Sequence, residues 1–262
     1  QIAAGIATGR RLDVERARAL IDRGPFAAGE AQAQGLVDRL AYWDEVEAEV
    51  EARAGITAER LTLADYAAAT PPPDDAPRIA VVYGLGPVQL APSGDEPLFG
   101  AQIMGSETVA GALREAIEDP GIEAVIFRID SPGGSYVASD RIWREVQRAR
   151  DDGKPVIVSM GNVAASGGYF VAAPAHAIVA QPGTITGSIG VLMMKPELTG
   201  FYDRHRIHVA TFQRGDWMGI ESAAHALTDS ERSLIQGGVD HIYEKFLSRV
   251  QAGRGMSREA ID

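Results

Sequence analysis

From Arg78 onward, short apolar runs alternate with amphipathic helical stretches, whereas the residues before it are helical alone. In residues 1–70, Asp13 is placed to cap a helix ending near Gly24-Pro25, and a second helix runs from about Trp43 to Ala54 and stops at Gly55. Pro71-Pro72-Pro73-Asp74-Asp75-Ala76-Pro77 is stiff and polar and reads as a linker. Beyond it, Ile79–Tyr83 is a β-branched run expected as a buried strand. A helix over Glu107–Glu118 follows, with Ser106 as N-cap and Pro120-Gly121 as stop. Strands are predicted at Ala124–Ile129, Pro155–Ser159, Ala177–Ala180 and Val191–Met194, with a helix carrying Ile142 and Val146 between the first two. Thr228-Asp229-Ser230-Glu231 is a capping box opening a long helix with Leu234, Ile235, Ile242, Phe246 and Val250 inward. Strands alternating with helices predict an α/β fold around a parallel sheet.

A short internal repeat refines this division. Gly9-Arg10-Arg11-Leu12-Asp13-Val14-Glu15 returns as Gly253-Arg254-Gly255-Met256-Ser257-Arg258-Glu259, one copy near each end. Residues 1–70 are then expected to be the helical tail of a preceding repeat, and 78–262 a second repeat lacking its own tail.

Composition narrows the chemistry. The chain has 262 residues, 45% apolar and 23% charged, enough for a sizeable core without staples. With no Cys, thiol catalysis and disulfides are excluded, and the chain suits an oxidising compartment. A net charge of −11 argues against nucleic acid as a partner. No apolar run reaches the roughly eighteen residues of a membrane-spanning helix. Lys154, Lys195 and Lys245 are the only lysines, so a lysine base has three candidates within the chain.

Two glycine-rich segments follow strands. Ser131-Pro132-Gly133-Gly134-Ser135 could turn backbone N–H groups toward a ligand as an oxyanion hole, or form a plain strand-to-helix turn. Ala164-Ala165-Ser166-Gly167-Gly168-Tyr169 puts a hydroxyl where a strand meets a helix, which suits either a nucleophile or a helix cap. Ala164 breaks Gly-x-Ser-x-Gly, no phosphate loop or dinucleotide fingerprint occurs, and no cofactor is called for. No histidine stands out as a base: His176 lies at a corner, and His225 and His241 have no constellation. His205 and His208, near Asp203, lack a further ligand pattern, so no metal site is expected.

Ser131–Ser135, Ala165-Ser166-Gly167-Gly168-Tyr169 and Thr186-Gly187-Ser188-Ile189-Gly190-Val191, in that order, resemble the signal peptide peptidase A family in its long, two-repeat bacterial form. Residues 25–45, with Gly35-Leu36-Val37-Asp38, resemble that family's repeat tail. The resemblance implies a Clp-protease/crotonase-like parallel-sheet core and a Ser–Lys serine protease degrading cleaved signal peptides and other hydrophobic peptides. It implies a site at the periplasmic side of the bacterial inner membrane and assembly into a homotetramer or similar closed ring. By position, Ser166 is the nucleophile, Gly134 and Gly167 supply oxyanion N–H groups, Gly133 shapes that loop, and Ser188 orients the lysine. The lysine departs from the pattern. Where the short form carries it, after the strand matching Val209–Phe212, this chain has Met218, so the base is expected from the preceding repeat. Two other readings stand beside this one: crotonase-type acyl-CoA chemistry, which uses a carboxylate base, and a non-catalytic assembly domain.

Overall fold

The computed structural model describes residues 1–55, 61–69, 73, 76–95 and 100–261. They form two compact units, Gln1–Pro73 and Asp74–Asp262. Residues 71, 72, 74 and 75 of the expected linker lie outside the described residues.

The first unit is helical: α1 (Ile2–Arg10), α2 (Val14–Arg23), α3 (Ala28–Ala33), α4 (Trp43–Ala54) and α5 (Leu63–Ala69). Its boundaries follow from capping chemistry within a few residues. The Asp13 carboxylate accepts the Arg16 N–H at 2.7 Å, satisfying one of the donors a helix start leaves free. Gly55 ends α4 in the left-handed conformation, φ 68°. Ala7, Ala17 and Leu20 form the buried centre, and Arg10 holds Asp38 through paired bonds of 2.8 and 3.0 Å.

The second unit opens with β1 (Arg78–Leu85), β2 (Val88–Gln89), β3 (Gly94–Asp95), β4 (Gln102–Gly105), α6 (Ser106–Glu118), β5 (Ile122–Ser131) and α7 (Tyr136–Asp151). It continues with β6 (Val156–Ala165), α8 (Gly167–Ala172), β7 (Ala177–Val179), β8 (Ile185–Gly187), α9 (Thr199–Arg204), α10 (Asp229–Arg254) and α11 (Arg258–Ile261). The main sheet is wholly parallel, ordered β1-β5-β6-β7, with β8 on β6 beyond β7. Side chains alternate across it. Val125, Phe127 and Ile129 of β5, and Val156, Val158 and Met160 of β6, are buried in one core with Leu113 of α6 and Ile142 and Val146 of α7. Each such side chain stabilises the fold by about 1.5–3 kcal/mol. The α/β parallel-sheet core expected from the strand–helix alternation is present, and no described helix is long and apolar enough to cross a membrane.

Several local expectations need correction. Ile79–Tyr83 is a strand, but an edge strand: Ile79, Val81 and Tyr83 point away from the core and are at least half exposed. Val191–Met194 and Val209–Phe212 have no regular structure, since neither finds a strand partner among the described residues. The short strand here is instead β8, just before Ser188. Ser106 is the first residue of α6, and its cap is Gly105. In α10 the buried apolar side chains, Phe246, Leu247 and Val250, all lie in the C-terminal half, while Leu234 is exposed.

The two repeat copies share one backbone geometry. α1 ends at Arg10, Arg11 is left-handed (φ 56°), and Asp13 caps α2. α10 ends at Arg254, Gly255 is left-handed (φ 64°), and the Ser257 hydroxyl accepts the Ala260 N–H at 3.3 Å.

Candidate active site

Three parallel strands end side by side, and each delivers one of the sequence motifs. Ser131 at the end of β5 pairs with Ala164 of β6, and Ala165 pairs with Gly187 of β8. The next residues on β6 and β8 are Ser166 and Ser188, so the sheet register brings these serines to neighbouring strand ends. Loops beyond the carboxyl ends of parallel strands are where α/β folds place ligands.

A register shift between Ile129 and Ser131 makes this alignment possible, and Asp130 holds it. Its carboxylate accepts the Asn162 and Val163 N–H groups, both at 3.1 Å, and the Asn162 side-chain amide at 3.2 Å. A Cβ on Gly161 would lie 2.5 Å from that carboxylate, so only glycine fits beside it.

The Gly133-Gly134 loop is pinned from the other side by β2. Val88 N–H donates to Gly133 O at 2.8 Å, and Ser135 N–H donates to Val88 O at 2.9 Å. Gly134 has φ 151°, and a side chain there would come within 2.3 Å of Val88 O. This pairing leaves the Gly134 N–H between the two bonds without a partner among the described residues. Gly167 N–H, first in α8, has none among them either. A Cβ on Gly167 would lie 3.2 Å from Gly134 N, so the two donors are neighbours. Gly133, with φ 99°, packs its Cα face against Gly167 N and Ser166 Cβ.

Ser166 has φ 50° and ψ −119°, a conformation that costs a residue with a side chain about 1–3 kcal/mol. Its N–H donates to Gly187 O at 2.9 Å, which fixes the turn against β8. Ser188 also has positive φ, 49°. It follows closely on Thr186, whose hydroxyl donates to Ala164 O at 2.8 Å. Among the described residues only Arg11, Ser166, Ser188 and Arg206 are non-glycine residues with positive φ. Two of the four are thus the serines the sequence motifs single out.

Ser166 and Gly134 open on a cavity of about 460 Å³ whose far walls are Tyr136, Phe170, Phe246, Ile242 and the segment Gly190–Met193. Its lining is mostly apolar, with the hydroxyls of Ser135, Tyr136, Ser139 and Ser166 as its polar side chains. Burial pushes the Tyr136 phenol up and Asp140 adds to this while Arg249 opposes it, so the phenol is neutral near pH 7. Among the described residues, no carboxylate, lysine or histidine lines the cavity. The Lys154 ammonium donates to Ala116 O (2.9 Å) and Asp119 O (2.7 Å) at the end of α6, the Lys195 ammonium donates to His225 O, and Lys245 is exposed on α10. Met218 is also exposed and outside the cavity wall. His176 is structural: its Nδ1 accepts the Val156 N–H at 3.1 Å. No group of three or more His, Asp or Glu able to hold a metal occurs among the described residues.

The motifs therefore mark the strand-end groups, while Asp130, Val88 and the aromatic wall escape sequence reasoning. Asp130 precedes Ser131, and adjacency is the one signal that points to it. Val88 acts through its backbone alone and leaves no side-chain signal.

Residues 148–262 match the model of peptidase family S49. The chain is 33% identical over 255 residues to protease 4 of Salmonella typhi, covering 94% of this chain and 40% of that protein. It is 32% identical over 269 residues to the chloroplastic serine protease SPPA of Arabidopsis thaliana, covering 98% and 38%. With protease 4 of Haemophilus influenzae it shares 39% over 158 residues, 60% of this chain and 26% of the other. The chain thus spans two fifths or less of the length of these relatives. Among solved structures, a point mutant of the 1510-N membrane-bound stomatin-specific protease aligns over 70% of this chain and 67% of its own, at 19% identity and a TM-score of 0.39.

Proposed function

Because the chain carries a peptidase family S49 domain, we propose that it is the nucleophile-bearing part of a serine endopeptidase that degrades cleaved signal peptides and other hydrophobic peptides. The observation that carries this reading is the strained Ser166 beside two unpartnered backbone donors at the mouth of an apolar cavity. In the proposed reaction the Ser166 oxygen attacks the scissile carbonyl carbon and its proton passes to a lysine amine. The carbonyl electron pair moves onto oxygen, where the Gly134 and Gly167 N–H groups stabilise it; one such donor is worth about 10²–10³-fold in rate. Collapse expels the amine, which takes the proton from the lysine, and water then releases the acyl group from Ser166.

The lysine is assigned to a preceding repeat of the same polypeptide, and Ser188, just past the end of β8 as Ser166 is just past the end of β6, is assigned to orient it. Lys154 and Lys195 are held by backbone carbonyls, and none of the three lysines lines the cavity. The repeated helix–turn–helix geometry supports the two-repeat organisation. Placement at the periplasmic face of the inner membrane and assembly into a closed ring of about four copies complete the reading. Crotonase-type chemistry is disfavoured because no described carboxylate lines the cavity.

A fluorophosphonate probe tests the assignment on the full-length polypeptide. The expected result is a single adduct on Ser166, lost in Ser166→Ala together with peptide hydrolysis. An adduct elsewhere, or hydrolysis that survives Ser166→Ala, overturns it.

A further inference from the structure

The two repeat copies share a backbone but not surroundings, and the difference identifies a binding face on α1. Aligning Gly9 with Gly253 sets Ile2 opposite Phe246 and Ile6 opposite Val250. The spacing i, i+4, i+7 places each trio on one helix face. In α10 that face is fully seated. Phe246 and Val250 are 3% and 0% exposed and pack with Phe170 of α8 and Trp143 of α7, the Phe246 and Phe170 rings meeting edge-on at 5.1 Å. Gly253 lies so close to the end of α8 that a Cβ would come within 2.2 Å of Ala173 O. Only glycine permits that approach.

On α1 the same face is less covered, Ile6 bordering a cavity with Leu20 and Phe26 of its own unit. Ile2 is 77% exposed, Ile6 is only partly covered, and a Cβ on Gly9 would meet nothing within 4 Å. Glycine near the end of a helix with open space around it lowers stability and has no local reason. The next residue marks where the likeness stops. Arg254 donates to Ala175 O at 2.9 Å, whereas Arg10 is already held by Gly35 O and Asp38.

We propose that the Ile2–Ile6–Gly9 face of α1 docks on the α7–α8 corner of a second α/β core of the same type, supplied by the preceding repeat of the same polypeptide. This rests on the two-repeat reading above. The occupant is specified by what α10 needs: an aromatic shelf for the two apolar side chains and a helix end whose carbonyl meets the glycine. A second copy of this chain does not fit, because its own corner is filled by α10. The relatives are longer than this chain, which matches only 40% of the Salmonella typhi protein, and the difference leaves room for such a core.

Two readouts test the face without using Ser166, so they stand or fall separately from the catalytic assignment. In the 262-residue chain, Gly9→Ala raises the melting temperature by about 1–3 °C, because a better helix former meets open space. In the full-length polypeptide the same change lowers it, because the new methyl strikes a carbonyl. Gly29→Ala on α3, where nothing lies within 4 Å of the added carbon, serves as control and shifts both proteins alike. Amide hydrogen exchange across Ile2–Arg10 is expected to be at least about tenfold slower in the full-length polypeptide. A Gly9→Ala shift of the same sign in both proteins, or equal exchange rates, overturns the proposal.

Discussion

Ser166, the proposed nucleophile, is held against its own backbone preference. Its φ and ψ suit glycine, and the turn is held by the Ser166 N–H bond to Gly187 O and by Gly133 packed against its Cβ. Ser166→Gly is therefore expected to raise the melting temperature above that of the parent, while Ser166→Ala, which keeps the Cβ, leaves it nearly unchanged. Both variants lose hydrolysis by on the order of 10⁴-fold or more. Thermal unfolding of the three proteins side by side decides it; equal melting temperatures for the Gly and Ala variants would mean that the turn is unstrained. The serine is readable as a candidate from its place between a strand and a glycine pair. Its strain is not, because strain depends on β8 and Gly133, which are distant in sequence.

At the scale of elements, what is legible is what is encoded within four residues. Asp13, Gly55 and the Thr228–Glu231 box mark helix ends that the structure reproduces, since each cap is closed by a neighbour in sequence. Strand pairing is not local. Val191–Met194 has the composition of a strand yet pairs with nothing described, while Ile185–Gly187 pairs because β6 extends past β7 and offers it an edge. The cap of α10 carries a pH prediction. The Thr228 N–H donates to Glu231 at 2.8 Å and holds its carboxyl below the usual range, aided by the Thr228 hydroxyl and by His225 and Lys195 nearby, against the opposing effect of burial. A depressed carboxylate contributes stability that is complete above its ordinary value, about 4.3, and is lost as pH falls through the lowered one. Glu231→Gln, which removes the ionising carboxyl, should cost about 1 kcal/mol near neutrality and flatten the acid side of the stability curve. Denaturant titrations of both proteins from about pH 6 to pH 3 check this, and curves that stay parallel would show that the cap is not the titrating element.

For the molecule as a whole, the proposed site has no base among the described residues that line its cavity. The 262-residue chain is expected to turn over slowly, since a positioned base contributes about 10²–10⁴-fold. Adding the proposed preceding repeat, in cis or as a separate chain, should restore hydrolysis, and replacing the lysine proposed to act from it should abolish it again. Full activity of the unaided chain, measured on a hydrophobic peptide, would mean that Lys195 or another internal group serves after all. The outer strand β1 has a different consequence, for colloidal behaviour. Eight residues long, it pairs on one side only among the described residues, and Ile79, Val81 and Tyr83 stand exposed on one face. An unpaired, apolar edge is a template for intermolecular strand addition, and the net charge of −11 provides the main opposing repulsion. Salt screens that repulsion, so light scattering from the concentrated chain should rise with ionic strength, and Val81→Lys, which places a charge on the edge strand, should suppress the rise.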